Sequence, residues 1–332
     1  MLGRCPLSRV CLISFKRTTI LQGVRNLSSD DKVRVGYVRN QLGLRDWISE
    51  YCNLQSQLTI NSYMEYEMLK AQKELVSDND FDFELKLPNI KLKMVKKALV
   101  ITIDDTRNLN SLTPEMYEGI TEALKYSLDD RNTAVTILTG EGTYFSNGNN
   151  FKNIKDFNMR KYNEIYKKFM MALIDHDKPL VGFINGPTVG IFAECLPLFD
   201  YIIATNNTYF QSIAIQNNSI PGGCSTFTYD HFAGRKFASN FIMKGNRMSA
   251  IEARNAGFVN SVVQNRFFNQ ACKRKISQFS KINPVNLVMM KKAFRDLIRC
   301  DLYKSLEKEL EFHDTPSLQS TVLHELMHPK NE

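Results

Sequence analysis

The chain alternates between short apolar runs and amphipathic segments, and the pattern is clearest after residue 90. Apolar, β-rich runs at 91–103, 134–139, 179–184 and 200–204 predict buried strands, and the first run is long enough for one or two. Helices are predicted after Thr113, over about 152–175 and over 190–198. Strands that alternate with helices predict an α/β fold with mostly parallel pairing.

The helix after Thr113 has the clearest start signal. Thr113 suits the N-cap, and Pro114 suits the first helical position because its missing N–H would have had no partner there. Apolar residues at 117, 120, 124 and 128 then give the helix one stripe that we expect to be buried.

A ten-residue segment, Asn185 to Glu194, joins the 179–184 strand to a helix that begins at Gly190 or Ile191. The first N–H groups of a helix have no partner within it, and the helix dipole favours negative charge there. Gly190 has no side chain, so a ligand can approach the backbone closely. The segment predicts an anion-binding turn, and an ordinary strand–turn–helix connection is the alternative.

Residues 138–151 form a second turn of the same kind. The run that ends at Leu138 is followed by a glycine-containing turn with Gly148, which leads into a polar helix. Two strand-end turns, each with a glycine beside the donor position, can aim two N–H groups at one oxygen. Such a pair suits a reaction in which a carbonyl oxygen gains negative charge.

Four segments together carry a resemblance: 103–112 (IDDTRNLNSL), 145–149 (FSNGN), 185–190 (NGPTVG) and 220–225 (IPGGCS). In this order they resemble the crotonase, or enoyl-CoA hydratase/isomerase, superfamily, most of all its Δ3,Δ2-enoyl-CoA isomerase branch. The resemblance covers roughly residues 90–330, and several matches in order are far more specific than one short motif. It implies an α/β crotonase-like spiral of ββα units with a helical C-terminal region, assembled as a homotrimer.

The resemblance also implies site residues. Asn149 and Ile191 match the residues whose backbone N–H groups form the oxyanion hole, with Gly148 and Gly190 beside them. The loop with Asn108, Asn110 and Leu112 matches the wall that binds the adenine side of coenzyme A, although a plain helix-capping loop would read the same way. The ligand is an acyl-CoA thioester, and no separate cofactor is expected.

The usual acid/base positions are empty. In the isomerase branch a glutamate follows the proline of a Ser-Pro-Glu-Gly-Cys-Ser pattern, where this chain has Gly222. The position that hydratases use matches Ala214. Glu194 matches one of the two hydratase glutamates, and on the helix its side chain leans back towards Gly190 and Ile191. We therefore expect Glu194 to be the acid/base, and Gly222→Glu to restore isomerase activity; a glutamate that caps the helix or pairs with a lysine is the alternative.

These residues predict an enzyme of fatty-acid β-oxidation that shifts a 3-enoyl-CoA double bond to the 2-position. One carboxylate can serve both proton transfers, whereas hydration usually employs two, so isomerisation is favoured over hydration. The alternative from another class is a binding protein that keeps the acyl-CoA pocket and has lost catalysis. Gly222 argues for that alternative and Glu194 argues against it.

The charge is concentrated at the start of the chain. Of a net charge of +8, residues 1–29 contribute +5 from Arg and Lys with no acid. Their Arg-, Ser- and Leu-rich composition predicts a mitochondrial transit peptide and hence the matrix, with a disordered basic tail as the alternative. The final residues do not read Ser-Lys-Leu, so a peroxisomal location is less favoured.

Other classes of partner and site are not favoured by the sequence. No basic stripe interleaved with aromatics indicates nucleic acid, and no apolar run is long enough to span a bilayer. The seven cysteines lack paired spacing. His324-Glu-Leu-Met-His328 matches the zinc-protease motif literally. It lies four residues from the end and is followed by a proline, so we expect no metal there and interpret the segment as one face of a C-terminal helix. Residues 30–89 predict a helical or partly disordered extension before a domain at 90–330.

Overall fold

The structure, a computed structural model, describes residues 87–150 and 159–313. The predicted transit peptide and the predicted extension before residue 87 therefore lie outside the described residues. The same holds for the motif at 324–328 and for the start of the helix predicted over about 152–175.

Six strands form the main sheet, in the order β1-β2-β3-β4-β6-β9. β1 (Ile90–Val95) and β2 (Ala98–Ile103) pair as an antiparallel hairpin, so the run at 91–103 is two strands. The other strands all pair in parallel, as predicted: β3 (Val135–Gly140), β4 (Leu180–Ile184), β6 (Tyr201–Thr205) and β9 (Ser261–Val263).

The strands of this sheet are buried on both faces because helices cover each side. Along β4 every residue is buried, and alternate side chains enter two different clusters. Leu180 and Ile184 join the larger core with helices α1 (Pro114–Asp129) and α2 (Met159–Ile174). Val181 and Phe183 face the other way, against helix α7 (Phe268–Phe279).

The helix predicted after Thr113 is confirmed as α1. Pro114 is its first residue, and the Thr113 hydroxyl accepts the Met116 N–H at 3.3 Å. Tyr117, Ile120 and Leu124 of the predicted stripe are all buried. The sequence signals at this helix end were therefore sufficient to place it.

The helix predicted over 190–198 is shorter than expected. α3 covers only Ile191–Glu194, and a 3₁₀ turn follows at Leu196–Leu198. Pro197 has no N–H to continue an α-helical hydrogen-bond series, so the chain tightens into this turn and then enters β6.

A small second sheet holds the chain around α3. It joins β5 (Thr188–Val189), β7 (Tyr209–Gln211) and β8 (Met248–Ser249), with β5 parallel to β7 and β7 antiparallel to β8. Gly190 extends the pairing, because its N–H donates to the Gln211 carbonyl at 2.9 Å. This fixes the backbone immediately before the first residue of α3.

Helices α4 (Ser225–Ala233), α5 (Arg235–Ala238), α6 (Ala250–Asn255) and α8 (Pro284–His313) complete the described chain. The long α8 packs against α2 and α4. Near its start, the buried Lys291 ammonium lies 2.7 Å from the Asp200 carboxylate, which precedes β6. Further along, Arg299 pairs with Asp175 and Asp177 just after α2. These ion pairs tie α8 to the sheet and to α2.

Candidate active site

Two loops at the carboxyl ends of β3 and β4 lie side by side. Ser146 pairs in parallel with Thr188, and the Val189 N–H donates to the Ser146 carbonyl at 2.9 Å. Gly148 and Gly190 then come together with positive φ angles of 85° and 65°. A Cβ on Gly190 would lie 3.1 Å from the Gly148 Cα. Both the left-handed backbone and the close approach require glycine here.

This arrangement leaves two N–H groups for a ligand. Leu112 donates to the Gly148 carbonyl at 2.7 Å and accepts from the Asn150 N–H at 2.9 Å, so the N–H of Asn149 between them faces the other way. Ile191 is the first residue of α3, where an N–H has no partner within the helix. Neither N–H donates to a backbone or side-chain acceptor among the described residues. The sequence predicted these two donors, and the fold brings their loops into contact.

The side chain of Asn149 is held by two tyrosines that the sequence analysis missed. Tyr117 of α1 donates its hydroxyl to Asn149 Oδ1 at 2.5 Å, and Tyr162 of α2 also hydrogen-bonds to Tyr117 and to Asn149. Burial raises the pKa of both phenols above the usual range. They are therefore neutral hydrogen-bonding groups that fix the loop carrying the Asn149 N–H.

Glu194 is buried, with 5% of its surface exposed. Its carboxylate accepts the Ser212 hydroxyl at 2.6 Å on one oxygen and the Gly222 N–H at 2.9 Å on the other. Burial raises the pKa of Glu194, and these two hydrogen bonds oppose that shift. In the described part of the chain no lysine or arginine forms an ion pair with Glu194, so Glu194 is not paired with a lysine there.

The space at Gly222 is occupied by a third tyrosine, Tyr166 of α2. A Cβ at residue 222 would lie 2.3 Å from the Tyr166 hydroxyl oxygen and 3.4 Å from Cδ1 of Ile191. The Gly223 N–H donates to the same hydroxyl at 2.7 Å. The expectation that Gly222→Glu restores activity therefore meets an obstacle that the sequence does not reveal: the first atom of the new side chain would overlap the phenol, so Tyr166 would have to move to admit it.

The loop assigned to coenzyme A has a clear structural role. The buried side chain of Asn110 accepts the Asp105 N–H at 2.8 Å and donates to the Glu141 and Tyr144 carbonyls at 2.9 and 2.7 Å. Asn108 donates its amide to the Asp105 carboxylate. Leu112 is buried and pairs with Asn149. The Asn110 side chain thus holds the loop against the β3–α2 connection, and is itself too deeply buried to meet a ligand.

Across residues 87–150 and 159–313, no group of three or more His, Cys, Asp or Glu side chains is arranged to hold a metal ion. In the same ranges no helix has both the length and the apolar character that crossing a bilayer demands. Ala214, which matched the hydratase acid position in the sequence, is buried.

The tyrosines that the sequence analysis missed could have been found from their spacing along the helix. Tyr162 and Tyr166 are one helical turn apart on the buried side of α2, and their rings stack with centroids 6.3 Å apart. Tyr117 meets both rings edge-on. Two tyrosines at this spacing on the apolar face of a helix have their hydroxyls inside the protein, where each needs a partner. That need pointed to a polar site beneath α2.

Comparison with known proteins agrees with this geometry. The sequence profile of the enoyl-CoA hydratase/isomerase family matches residues 94–325. The chain is 31% identical over 210 residues to mouse peroxisomal enoyl-CoA delta isomerase 3 and 30% identical over 215 residues to human enoyl-CoA delta isomerase 2. These matches cover 61% and 60% of this chain and span 66% and 54% of those relatives' lengths. Human chromodomain Y-like protein is 29% identical over 209 residues, covering 61% of this chain and 35% of that protein.

Solved structures show the same fold at lower identity. An enoyl-CoA hydratase/isomerase from Pseudoalteromonas atlantica superimposes with a TM-score of 0.66 at 19% identity, covering 73% of this chain and 98% of that one. OdaA from Pseudomonas aeruginosa gives 0.66 at 22%, covering 72% and 99%. The crotonase-like α/β fold with a helical C-terminal region is thereby confirmed. With the profile matching well over half of its length, the chain belongs to the enoyl-CoA hydratase/isomerase family.

Proposed function

We propose that this protein is an enoyl-CoA isomerase of fatty-acid β-oxidation, which moves the double bond of a 3-enoyl-CoA to the 2-position through an enolate. One observation carries the proposal: a buried carboxylate, Glu194, lies on the short helix whose first N–H is one of two unpartnered donors. Paired N–H donors suit an oxygen that gains charge, and a carboxylate nearby suits the proton transfer that creates the charge.

In the proposed reaction the thioester oxygen accepts hydrogen bonds from the N–H groups of Asn149 and Ile191. Glu194 removes a proton from C2, and the resulting negative charge is delocalised onto that oxygen. Burial raises the pKa of Glu194, which makes its carboxylate a stronger base than an exposed one. Ser212 and Gly222 hold the carboxylate in place. Coenzyme A belongs to the substrate, bound along the loop that contains Asn108 and Leu112, and no other cofactor is involved.

The competing function is an acyl-CoA-binding protein without turnover. Two features support it. Residue 222 is a glycine and so has no acid/base side chain, and the Tyr166 phenol fills the space where a side chain at 222 would begin. Hydration is less well supported, because the second buried carboxylate near the site, Glu309, is held by the N–H groups of Cys224 and Thr226. Isomerisation needs one carboxylate to take the proton from C2, and Glu194 is a buried carboxylate beside the paired N–H donors.

The deciding experiment compares two variants with the native chain. Glu194→Gln keeps the volume, and its amide can accept from Gly222 and donate to Ser212. It should lower turnover of 3-enoyl-CoA by about 10²–10⁴ while acyl-CoA binding changes little. Gly190→Val adds a branched side chain at a positive φ, 3.1 Å from the Gly148 Cα, so binding and turnover should both be lost.

Coupled assays with 3-enoyl-CoA and 2-enoyl-CoA, beside calorimetric binding of an acyl-CoA, separate the outcomes. Native turnover that survives Glu194→Gln rejects Glu194 as the base. A native chain that binds acyl-CoA and turns over neither substrate selects the binding function. Normal acyl-CoA binding by folded Gly190→Val rejects the assignment of the pocket.

We further propose that the protein acts in the mitochondrial matrix as a homotrimer. The basic, acid-free segment 1–29 supports the location, although the mouse relative is named as peroxisomal. An apolar row on the surface of α8, formed by Met290, Phe294 and Leu297, supports the assembly, because exposed apolar side chains in a row favour an interface.

A further inference from the structure

The Tyr166 hydroxyl takes the place that Gly222 leaves open. Tyr166 is 5% exposed, and its oxygen lies 2.3 Å from where a Cβ of residue 222 would be. At that distance the phenol and any side chain at 222 exclude each other. Gly222 and Tyr166 therefore form a matched pair, in which the helix α2 supplies the polar group that the loop lacks.

The Tyr166 hydroxyl accepts one hydrogen bond and donates none to a described residue. Its oxygen accepts the Gly223 N–H at 2.7 Å, and no described residue accepts the proton of the hydroxyl. The position of a Cβ on Gly222, which the phenol overlaps, lies 3.4 Å from Cδ1 of Ile191, whose N–H is one of the two unpartnered donors. A buried O–H donor with an unused proton thus lies beside the donors assigned to the thioester oxygen.

Glu194 and Tyr166 are held by neighbouring peptide groups. The Gly222 N–H donates to the Glu194 carboxylate at 2.9 Å, and the next N–H along the chain, that of Gly223, donates to Tyr166. A Cβ on Gly223 would lie 2.8 Å from the Cys195 N–H nitrogen, so this stretch of backbone packs directly on the end of α3. One rigid dipeptide therefore positions both titratable groups relative to α3.

We propose that Tyr166 is the second proton-transfer residue of the site, the one that delivers the proton to C4 of the substrate. The inference rests on the proposed function and deepens it: Glu194 removes the proton from C2, and a different residue completes the shift of the double bond.

The step balances without any further reactant. The C2–H bond breaks and its proton passes to the Glu194 carboxylate, while the electron pair enters a dienolate whose oxygen is held by the two N–H groups. The C3–C4 double bond then moves to C2–C3 as C4 takes the proton of the Tyr166 hydroxyl. The Gly223 N–H stabilises the phenolate so formed. Protonated Glu194 returns its proton to Tyr166, and the enzyme regains its starting state.

The surroundings of Tyr166 keep its hydroxyl protonated and exclude it as the initial base. Burial, followed by the charge of Glu309, raises the pKa of Tyr166 well above its usual value. The group is therefore protonated at neutral pH and cannot take the first proton from C2. Glu194, as a carboxylate, fits that first role, so the two residues divide the two transfers between them.

The test uses Tyr166→Phe, which removes the hydroxyl and keeps the ring against Tyr117 and Tyr162. Isomerisation of 3-enoyl-CoA should fall by about 10²–10⁴, the usual contribution of one proton-transfer residue. Exchange of the C2 hydrogens with deuterated solvent, followed by NMR, should stay within a few fold of native because Glu194 still forms the enolate. Tyr303→Phe on α8 is the control. It removes a tyrosine hydroxyl that is hydrogen-bonded to Asp175 and should leave both rates unchanged.

A single turnover with substrate deuterated at C2, in ordinary water, gives a second reading. Tyr166 donates a proton that came from solvent, so the product should carry hydrogen at C4. Deuterium carried from C2 to C4 would show one carboxylate performing both transfers and would overturn the proposal. So would isomerisation by Tyr166→Phe within threefold of native, or an equal loss of exchange and isomerisation. A native chain with neither exchange nor isomerisation rejects the proposed function itself, and this proposal with it.

Discussion

The adjacent peptide N–H groups of Gly222 and Gly223 each hold one residue of the site, and a side chain at either glycine would disturb that contact. One binds Glu194 and the other binds Tyr166. A side chain at residue 222 would displace the phenol, and a side chain at residue 223 would meet the backbone of Glu194 and Cys195. Each partner is therefore fitted to the absence of a side chain in the loop.

This fit makes a prediction about restoring a glutamate at residue 222. Gly222→Glu alone should lose stability and gain no isomerase activity, because its Cβ falls 2.3 Å from the Tyr166 oxygen. In a Tyr166→Ala background the space is open, and Tyr166→Ala/Gly222→Glu should exceed Tyr166→Ala in isomerase activity by at least about 10². Steady-state assays and thermal melts of the three variants measure both effects.

The matched control is Tyr166→Ala/Gly222→Gln, which has the same volume as the glutamate variant but cannot accept a proton. Equal activity of the Gln and Glu double variants would mean that cavity filling, rather than proton transfer, restored function. An active Gly222→Glu single variant would show that the phenol yields to the new side chain.

At this scale the sequence could identify Glu194 but not its partners. A carboxylate in an apolar segment has to be used or paired, and that reasoning uses local residues alone. Ser212 and Gly222 bind its carboxylate from 18 and 28 residues further along the chain, and Tyr166 binds the neighbouring N–H of Gly223. Only the packing of α2 over the 222–223 loop brings the phenol to this point. No local pattern contains that information.

Helix ends were predicted well where neighbouring residues mark them, and less well where the packing of the rest of the fold determines where the helix stops. Thr113 and Pro114 place the start of α1 by themselves. The end of α3 was placed four residues too late, because the apolar segment 191–198 continues past Glu194 while Pro197 changes the backbone. The strands in the four predicted apolar runs were placed to within about two residues, since their burial on both faces gives continuous apolar runs. The shorter strands β5, β7, β8 and β9 were not predicted.

The start of α4 depends on a carboxylate from α8. Glu309 accepts the N–H groups of Cys224 and Thr226 at 3.0 and 3.3 Å and the Thr226 hydroxyl at 2.8 Å. Cys224, with a left-handed φ of 56°, has no side-chain cap of its own. The Glu309 carboxylate therefore satisfies N–H groups at this helix start that would otherwise be buried without partners, and it locks α8 to the loop that carries Gly222.

The ionisation of Glu309 should be visible in the stability of the fold. Burial raises its pKa to about 7, against hydrogen bonds from Thr226 and Cys224 that lower it. Between pH 4.5 and 7 the folded protein keeps a proton that the unfolded chain has released. The contribution of Glu309 to the free energy of unfolding therefore falls as pH rises through this window, by up to roughly 3 kcal/mol, and is constant above it.

Urea unfolding of native and Glu309→Gln proteins at pH 5 and pH 8 measures this contribution. Glutamine does not titrate, so the native protein should gain stability relative to the variant on going from pH 8 to pH 5. Other buried groups, such as His176 and Lys291, titrate alike in both proteins and cancel in the difference. A native–variant difference that is the same at both pH values would contradict the raised pKa.

For the whole molecule, the location can be tested through residues 1–29. They carry five basic residues and no acid, and they precede the domain that contains every described site residue. Their deletion should abolish import into isolated mitochondria and leave the thermal melt of the purified protein unchanged, since such segments are removed after import. Import of a chain beginning at Asp30 would contradict the assignment, and uptake by peroxisomes would favour the location named for the mouse relative.

The assembly can be tested through the surface of α8. Met290, Phe294 and Leu297 are 58%, 70% and 81% exposed and lie at i, i+4 and i+7, so they share one face of the helix. The adjacent face carries Lys291 and Arg295, both buried against the body of the protein. The apolar row is therefore free of the intramolecular ion pairs that hold α8, and we expect a second copy of the chain to cover it.

Light scattering after size exclusion should give three times the chain mass for the native protein. Phe294→Glu/Leu297→Glu places two like charges in the expected interface, and charges without partners there cost several kcal/mol, enough to release monomers. Both substitutions are solvent-exposed within one chain, so the melt of the monomer should remain cooperative. Ile251→Glu on α6, 52% exposed, is the control and should stay trimeric. A native monomer, or a double variant that remains trimeric, would show that this face of α8 does not hold copies of the chain together.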